Sequence, residues 1–155
     1  GLYVVNSVQE EIGLRGAQMI AERIDPDVAI ITDVTHDTNS PMNDKKKSGD
    51  IKSGKGPALT FGPAVQNNLL KLLIDTAKKN KIDHQLMAAS RFTGTDTDAF
   101  AYSNDGVASA LISLPLKYMH TTVETVHKDD VESCIKLMYE SVLAIKEGQD
   151  FRYIK

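Results

Sequence analysis

Apolar runs alternate along the chain with segments in which apolar residues recur every three or four positions. The runs are rich in β-branched residues, as buried strands are, and they predict strands at 2–8, 28–34, 58–62, 84–90 and 108–116. The helical spacing predicts helices at 17–24, 65–80, 98–103 and 131–145. Strands that alternate with helices predict an α/β fold, in which helices cover both faces of a mostly parallel sheet in three layers.

The last helix has the most complete pattern. Asp129 and Asp130 fall in its first turn, where they complement the helix dipole, and Gly148 follows its end. Its apolar positions, which recur three and four apart, are Val131, Ile135, Met138, Val142 and Ile145.

The segment from Thr35 to Pro57 is too polar and too broken for a core element and predicts a long loop. Within it, GDIKSGKG (Gly49 to Gly56) comes one residue short of a phosphate-binding loop. Gly56 replaces the hydroxyl residue that would bind Mg²⁺, and Pro57 follows where a helix would have to run. The segment is therefore not predicted to bind nucleotides.

Composition narrows the class of protein. The chain has 155 residues, a net charge of -3 and a pI near 5.8, which argue against binding to nucleic acid or to an anionic membrane surface. No apolar run approaches the ~20 residues that span a bilayer. The single cysteine, Cys134, allows no internal disulfide, so a cytoplasmic protein acting on peptides or small molecules is expected.

Candidate chemistry follows the predicted strands. Glu10 and Glu11 come after the first run, Asp33 closes the second, and His120 lies just beyond the last. Because ligands of open α/β sheets bind beyond the carboxyl ends of the strands, these side chains are expected at one edge. Carboxylates and imidazole suit a hydrolytic divalent-metal site, and a spare carboxylate can take a proton from water.

Other interpretations of the same residues stay open at this point. The two adjacent glutamates also suit the N-terminus of a helix, and Asp33 also suits a turn. A glycoside hydrolase would need two acids about 5–9.5 Å apart, for which Glu10 and Asp33 are the candidates, although the chain has no Trp to form a sugar platform. A non-enzymatic α/β interaction module is the remaining alternative.

Five segments carry a resemblance to a known family: VQEEIGLRGA, PDVAIITDVTHDT, GKGP, GTDTDAFAYS and SLPLKYMHTTVETVHKDDVE. In this order, over nearly the whole chain, they resemble the dinuclear-metal aminopeptidases of peptidase family forty-two, the glutamyl and deblocking type. The resemblance implies a dinuclear zinc exopeptidase-like fold, and removal of N-terminal residues from peptides by water activated between two Zn or Co ions. It also implies a homo-oligomer.

Roles for individual residues follow from the resemblance. It implies that Glu10 is the general acid/base and that the metal ligands are Glu11, Asp33 and His120. The GTD segment follows a predicted strand at the same edge, so Gly94, Thr95 and Asp96 are predicted to line the substrate site. A Gly-Thr turn in which the Asp caps the next helix is an equal alternative.

The chain also departs from the family pattern. Family members carry an earlier ligand His, a metal-bridging Asp and an inserted β domain, and no segment of this sequence matches them. Without the bridge, two metals cannot be held about 3.5–4 Å apart. Residues 1–155 are therefore expected to be the C-terminal half of one incomplete catalytic domain, inactive alone and binding one metal or none.

Overall fold

The computed structural model describes residues 1–153, which contain five helices and five strands. In chain order they are α1 (Arg15–Ile24), β1 (Val28–His36), α2 (Lys45–Ser48), β2 (Ala58–Phe61), α3 (Asn67–Lys79), β3 (Gln85–Ala88), α4 (Asp96–Ala101), β4 (Ala108–Lys117), β5 (Thr125–Val126) and α5 (Lys128–Ala144). Apart from the first run, each predicted strand and helix is present. No helix in this range is both long and apolar enough to cross a membrane.

The strands form one mixed sheet in the order β1-β4-β2-β3, with β5 added to β4. β1 runs parallel to β4 over its whole length, and β2 runs parallel to β3, whereas the contacts of β4 with β2 and β5 are antiparallel. The long strand β4 lies at the centre of the sheet, and seven of its ten residues are buried.

Helices cover the sheet in two groups. α3 and α5 contact each other and β4, while α1 packs on α4, which contacts β1 and β4. The main core lies around α3, α5, β2 and β4 and includes Leu59, Leu70, Leu73, Ile112 and Leu137. The predicted α/β class is confirmed, but the sheet is mixed rather than mostly parallel, because two of the four strand pairs among the described residues are antiparallel.

The strand predicted at 2–8 is wrong. This segment has no regular secondary structure, and Leu2, Tyr3 and Val4 are exposed, Val4 almost completely at 94%. Among the described residues β1 has β4 as its sole strand neighbour, so no strand pairs with 2–8. A β-branched run gives strand propensity, but a strand also needs a hydrogen-bonded neighbour.

Helix α5 is confirmed, but its orientation differs from the predicted apolar stripe. The side chains buried against the rest of the protein include Cys134, Leu137 and Ser141, whereas Ile135 of the predicted stripe is exposed. The helix carries apolar residues around much of its circumference, so spacing alone does not select the face that meets the sheet.

The glycine-rich loop before β2 is tied to the first turn of α5. The carboxylate of Asp130, which is fully buried, accepts the backbone N–H of Gly54 and of Gly56, each at 2.7 Å. These are the kind of N–H groups that a phosphate-binding loop offers to an anion. Here an internal carboxylate accepts both N–H groups, so neither is free to bind a phosphate in this arrangement.

Candidate catalytic site

The two adjacent glutamates lie in a closed turn directly before α1. The N–H groups of Gly13 and Leu14 donate to the carbonyl of Glu10 at 3.1 and 3.0 Å, and the N–H of Gly16 donates to the carbonyl of Val8 at 3.0 Å. These bonds fix the backbone on both sides of the pair. The turn therefore restricts the positions that the two carboxylates can occupy.

Gly16 is required for this close approach. A Cβ at Gly16 would lie 2.4 Å from the carbonyl oxygen of Val8 and 2.5 Å from its nitrogen. We expect Gly16→Ala to displace the glutamate turn and to lower the free energy of unfolding by about 2 kcal/mol. Urea unfolding followed by circular dichroism measures the loss. Gln18→Ala on the exposed side of α1 is the control, and equal stability of the two variants would contradict the expected clash.

Asp33 and His120 come from the parallel pair β1 and β4. Asp33 stands opposite Ser113 in the register, and its carboxylate accepts the N–H of Val34 at 2.7 Å. His120 follows the end of β4 with a φ of 62°, and its Nε2 lies 3.5 Å from Oε1 of Glu11. The structure thus brings the glutamate turn to the carboxyl end of β4, as predicted, although no strand leads into that turn.

Glu10, Glu11, Asp33 and His120 form a cluster in which the charge of each side chain acts on its neighbours. Burial raises the pKa of Glu10, and the neighbouring carboxylates of Asp33, Glu11 and Asp96 raise it further, while His120 opposes the shift. Burial likewise raises the pKa of Asp33, against the hydrogen bond from Val34. The carboxylates therefore repel one another, and a bound cation would relieve that repulsion.

The sequence pattern predicted Asp96 as a residue that lines the substrate site. The structure places it within electrostatic range of Glu10 and Asp33. It contributes to the raised pKa of both Glu10 and Asp33. The Ser7 hydroxyl donates to its Oδ2, while its buried Oδ1 has no hydrogen-bond partner among residues 1–153. The Ser7 contact could not be predicted from the sequence pattern, because the two residues are far apart along the chain.

The other two residues of the GTD segment have local hydrogen bonds. Thr95 is buried and caps α4 by accepting the N–H of Thr97 at 3.2 Å, while the N–H of exposed Gly94 donates to Asp98 at 3.0 Å. The predicted helix-capping turn is thus present, with Thr95 rather than Asp96 as the cap. A substrate contact by Gly94, Thr95 or Asp96 stays a prediction.

The side chains of the cluster meet part of what a divalent metal needs. Carboxylate oxygens and an imidazole nitrogen are suitable ligands for Zn²⁺ or Co²⁺, and the mutual repulsion of the acids favours a cation. Within residues 1–153, however, no three His, Cys, Asp or Glu side chains are grouped closely enough to hold a metal ion. The described residues thus supply ligand types that suit a divalent metal, but too few of them for a complete site.

Comparison with known proteins identifies the family. Residues 1–137 match the profile of the M42 glutamyl aminopeptidases. The chain belongs to the M42 glutamyl aminopeptidase family. The resemblance inferred from its motifs is therefore confirmed.

The chain is also similar to individual aminopeptidases, both in sequence and in structure. The chain is 43% identical to the lysyl aminopeptidase of Pyrococcus furiosus over 136 residues, which are 88% of the chain and 38% of the relative. It is also similar to the TET aminopeptidase of a marine-sediment thaumarchaeote, with a TM-score of 0.78 and 34% identity over 86% of the chain and 38% of that structure. The chain thus spans well under half the length of these relatives.

A second solved structure similar to this chain belongs to a peptidase that forms large assemblies. The TET1 peptidase of Pyrococcus horikoshii has a TM-score of 0.68 and 30% identity over 88% of the chain and 38% of that structure, and it assembles into a tetrahedron or a large octahedral shell.

Proposed function

We propose that this M42 chain forms part of a metal-dependent aminopeptidase that removes N-terminal residues from peptides. The observation that carries the proposal is the approach of His120 to Glu11, 3.5 Å apart, beside Glu10 and Asp33, whose pKa values are raised. Acidic and imidazole side chains from the glutamate turn, β1 and the end of β4 converge there. Because the matched family consists of aminopeptidases, we assign aminopeptidase chemistry to this cluster.

Each residue of the cluster has a distinct role in this proposal. Glu11, Asp33 and His120 would each supply one ligand to divalent metal, Zn²⁺ or Co²⁺, with Glu11 and Asp33 on different ions and the remaining ligands supplied by the rest of the domain. Metal bound there would polarise the scissile carbonyl and make water a better acid. Glu10 would take the proton from the attacking water and return it to the leaving amine, a task that its raised pKa suits.

We further propose that residues 1–155 are the C-terminal half of a larger catalytic domain. The remaining ligands, a His and a bridging Asp, would come from the rest of that domain. The chain alone would then bind one ion or none and would be inactive. The tetrahedral and octahedral assemblies of the TET1 peptidase support homo-oligomerisation of the complete protein, for which a cytoplasmic location is proposed.

A glycoside hydrolase using Glu10 and Asp33 is less well supported. The chain has no Trp, and its family match is to aminopeptidases. An interaction module without activity does not account for the carboxylate cluster.

Chelation and His120 test the proposed chemistry in the complete protein. We expect EDTA to abolish cleavage of aminoacyl-nitroanilides and Zn²⁺ or Co²⁺ to restore it. His120→Ala is expected to weaken metal binding at least about tenfold in calorimetric titration, the loss of one ligand. Exposed His36→Ala is the matched control. Polysaccharide hydrolysis that survives EDTA, or unchanged metal affinity in His120→Ala, would contradict the proposal.

A further inference from the structure

Ser7 ties the segment before α1 to a distant part of the chain. Residues 1–6 are exposed, and Ser7 is the first half-buried residue. Its hydroxyl donates a hydrogen bond to Oδ2 of Asp96, the first residue of α4, although 89 positions separate the two. Glu10, the first of the two adjacent glutamates, follows Ser7 closely along the chain. The contact therefore joins α4 to the chain directly before the proposed general base.

The carboxylate of Asp96 is not used by its own helix. The hydroxyl of Thr95 caps α4, and the carboxylate of Asp98 accepts the N–H groups of the two residues before Thr95 at 3.2 and 3.0 Å. Oδ1 of Asp96 is buried without a hydrogen-bond partner among residues 1–153, which costs free energy. An aspartate that served only the helix dipole would keep both oxygens in water. The contact with Ser7, and not the stability of α4, therefore explains the orientation of Asp96.

The glutamate turn has a backbone conformation that needs support from its surroundings. Gln9 and Leu14, on either side of the two glutamates, have φ of 62° and 55°, although neither is glycine. Residues with a Cβ disfavour this left-handed region, so the conformation persists where neighbouring contacts hold it. Gln9 lies between Ser7 and Glu10. A contact at Ser7 therefore acts close to the residue whose φ sets the direction of the chain at Glu10.

A second polar contact holds the other end of α1. The side-chain amide of Asn104, which follows α4, donates to the carbonyl of Ala21 at 3.2 Å and to Oδ1 of Asp25 at 2.7 Å. Between these two points α1 and α4 pack on each other. α1 and the turn before it are thus held to the α4 region at both ends, and the contact of Ser7 with Asp96 is the one beside the glutamates.

We propose that Asp96 is a positioning residue for Glu10 and acts on it through Ser7 and the backbone of the glutamate turn. This role rests on the proposed function, in which Glu10 takes a proton from the attacking water. Proton transfer needs the carboxylate within about 2.6–3.2 Å of that water. A small displacement of the turn therefore lowers the rate while substrate binding is retained. The role requires no contact between Asp96 and the substrate.

Kinetics of the complete, metal-loaded protein test the part played by Ser7. We expect Ser7→Ala to lower kcat for aminoacyl-nitroanilides about tenfold, with KM and metal content nearly unchanged, because one hydrogen bond to a charged group is lost. Ser7→Thr keeps the hydroxyl and is expected to retain most of kcat. An unchanged kcat in Ser7→Ala, or a Ser7→Thr variant as slow as Ser7→Ala, would overturn the proposal.

The contact at the other end of α1 provides the matched control. Asn104→Gly removes the side chain that binds Ala21 and Asp25, and glycine adopts the φ of 49° at this position without strain. We expect urea unfolding to show lower stability in this variant as in Ser7→Ala, but we expect kcat to stay at the parent value. An equal loss of kcat in the two variants would show that any loosening of α1 slows the enzyme, which would overturn the specific role of Asp96.

A double variant tests whether Ser7 acts through Asp96. Asp96→Ala removes the acceptor together with a negative charge near Glu10, so its loss of kcat is expected to be at least as large as that of Ser7→Ala. If the hydroxyl acts on this carboxylate, adding Ser7→Ala to Asp96→Ala causes no further loss. A further tenfold loss in the double variant would contradict the coupling of the two residues.

Hydrogen exchange measures the turn independently of activity. In the metal-free complete protein, the peptide spanning 10–16 contains the amides whose hydrogen bonds close the turn. These amides are expected to exchange about tenfold faster in Ser7→Ala and at the parent rate in Asn104→Gly. The parent rate in Ser7→Ala would overturn the positioning role. An inactive complete protein whose turn still opens faster in Ser7→Ala would contradict the proposed function alone, so the two failures are distinguishable.

Discussion

Glu10→Gln is expected to lower kcat for aminoacyl-nitroanilide hydrolysis by the complete protein by about 10²–10⁴-fold while leaving KM nearly unchanged. Glutamine keeps the size and polarity of the side chain but cannot accept the proton of the attacking water. Burial raises the pKa of Glu10, which makes its carboxylate a stronger base for that proton.

The control for this experiment is Glu22→Gln on the exposed side of α1, which removes a carboxylate outside the cluster. It is expected to keep full activity. Metal content is measured for both variants, since Glu10 is assigned no role as a ligand and its replacement is expected to retain metal. Undiminished turnover in Glu10→Gln would rule out Glu10 as the proton carrier.

Asp130→Ala is expected to cost about 3–5 kcal/mol of unfolding free energy, the largest stability loss among the variants considered. Its fully buried carboxylate accepts the N–H groups of Gly54 and Gly56, and removing it leaves both without an acceptor. The loop before β2 would lose its attachment to α5. Urea unfolding at equilibrium measures the change.

The neighbouring residue provides the control for the buried carboxylate. Asp129 is also in the first turn of α5 but is 77% exposed, and Asp129→Ala is expected to cost about 1 kcal/mol or less through the helix dipole. Asp130→Asn keeps one acceptor oxygen and is expected to fall between the two. Equal losses for Asp129→Ala and Asp130→Ala would show that the loop does not depend on this carboxylate.

The sequence pattern correctly predicted those helices and strands, such as β4 and α3, whose own apolar residues determine which side is buried. β4 is a continuous apolar run and lies in the centre of the sheet, and α3 buries Leu69, Leu73 and Thr76 as its spacing indicated. The apolar run at 2–8 has similar propensity but lacks a hydrogen-bonded neighbour among the described residues. Propensity describes a segment, whereas pairing depends on the rest of the fold.

The candidate site was predictable to a similar degree. The positions of Glu11 and His120 near the carboxyl end of β4 followed from the α/β pattern. The contact of Ser7 with Asp96 did not, because it depends on how α4 packs beside the glutamate turn. The face of α5 was also unpredictable, since both of its sides are apolar.

The order of strands in the sheet has a consequence for synthesis of the chain. β1 pairs with β4 in the described residues, and about half of the chain separates the two, whereas β2 and β3 are close along the chain and can pair early. As the chain emerges from the ribosome, β1 has no hydrogen-bonded neighbour among these strands until β4 has been made. Pairing between distant segments is slow, so the edge of β1 is the part of this sheet most in need of protection by chaperones in the newly made protein.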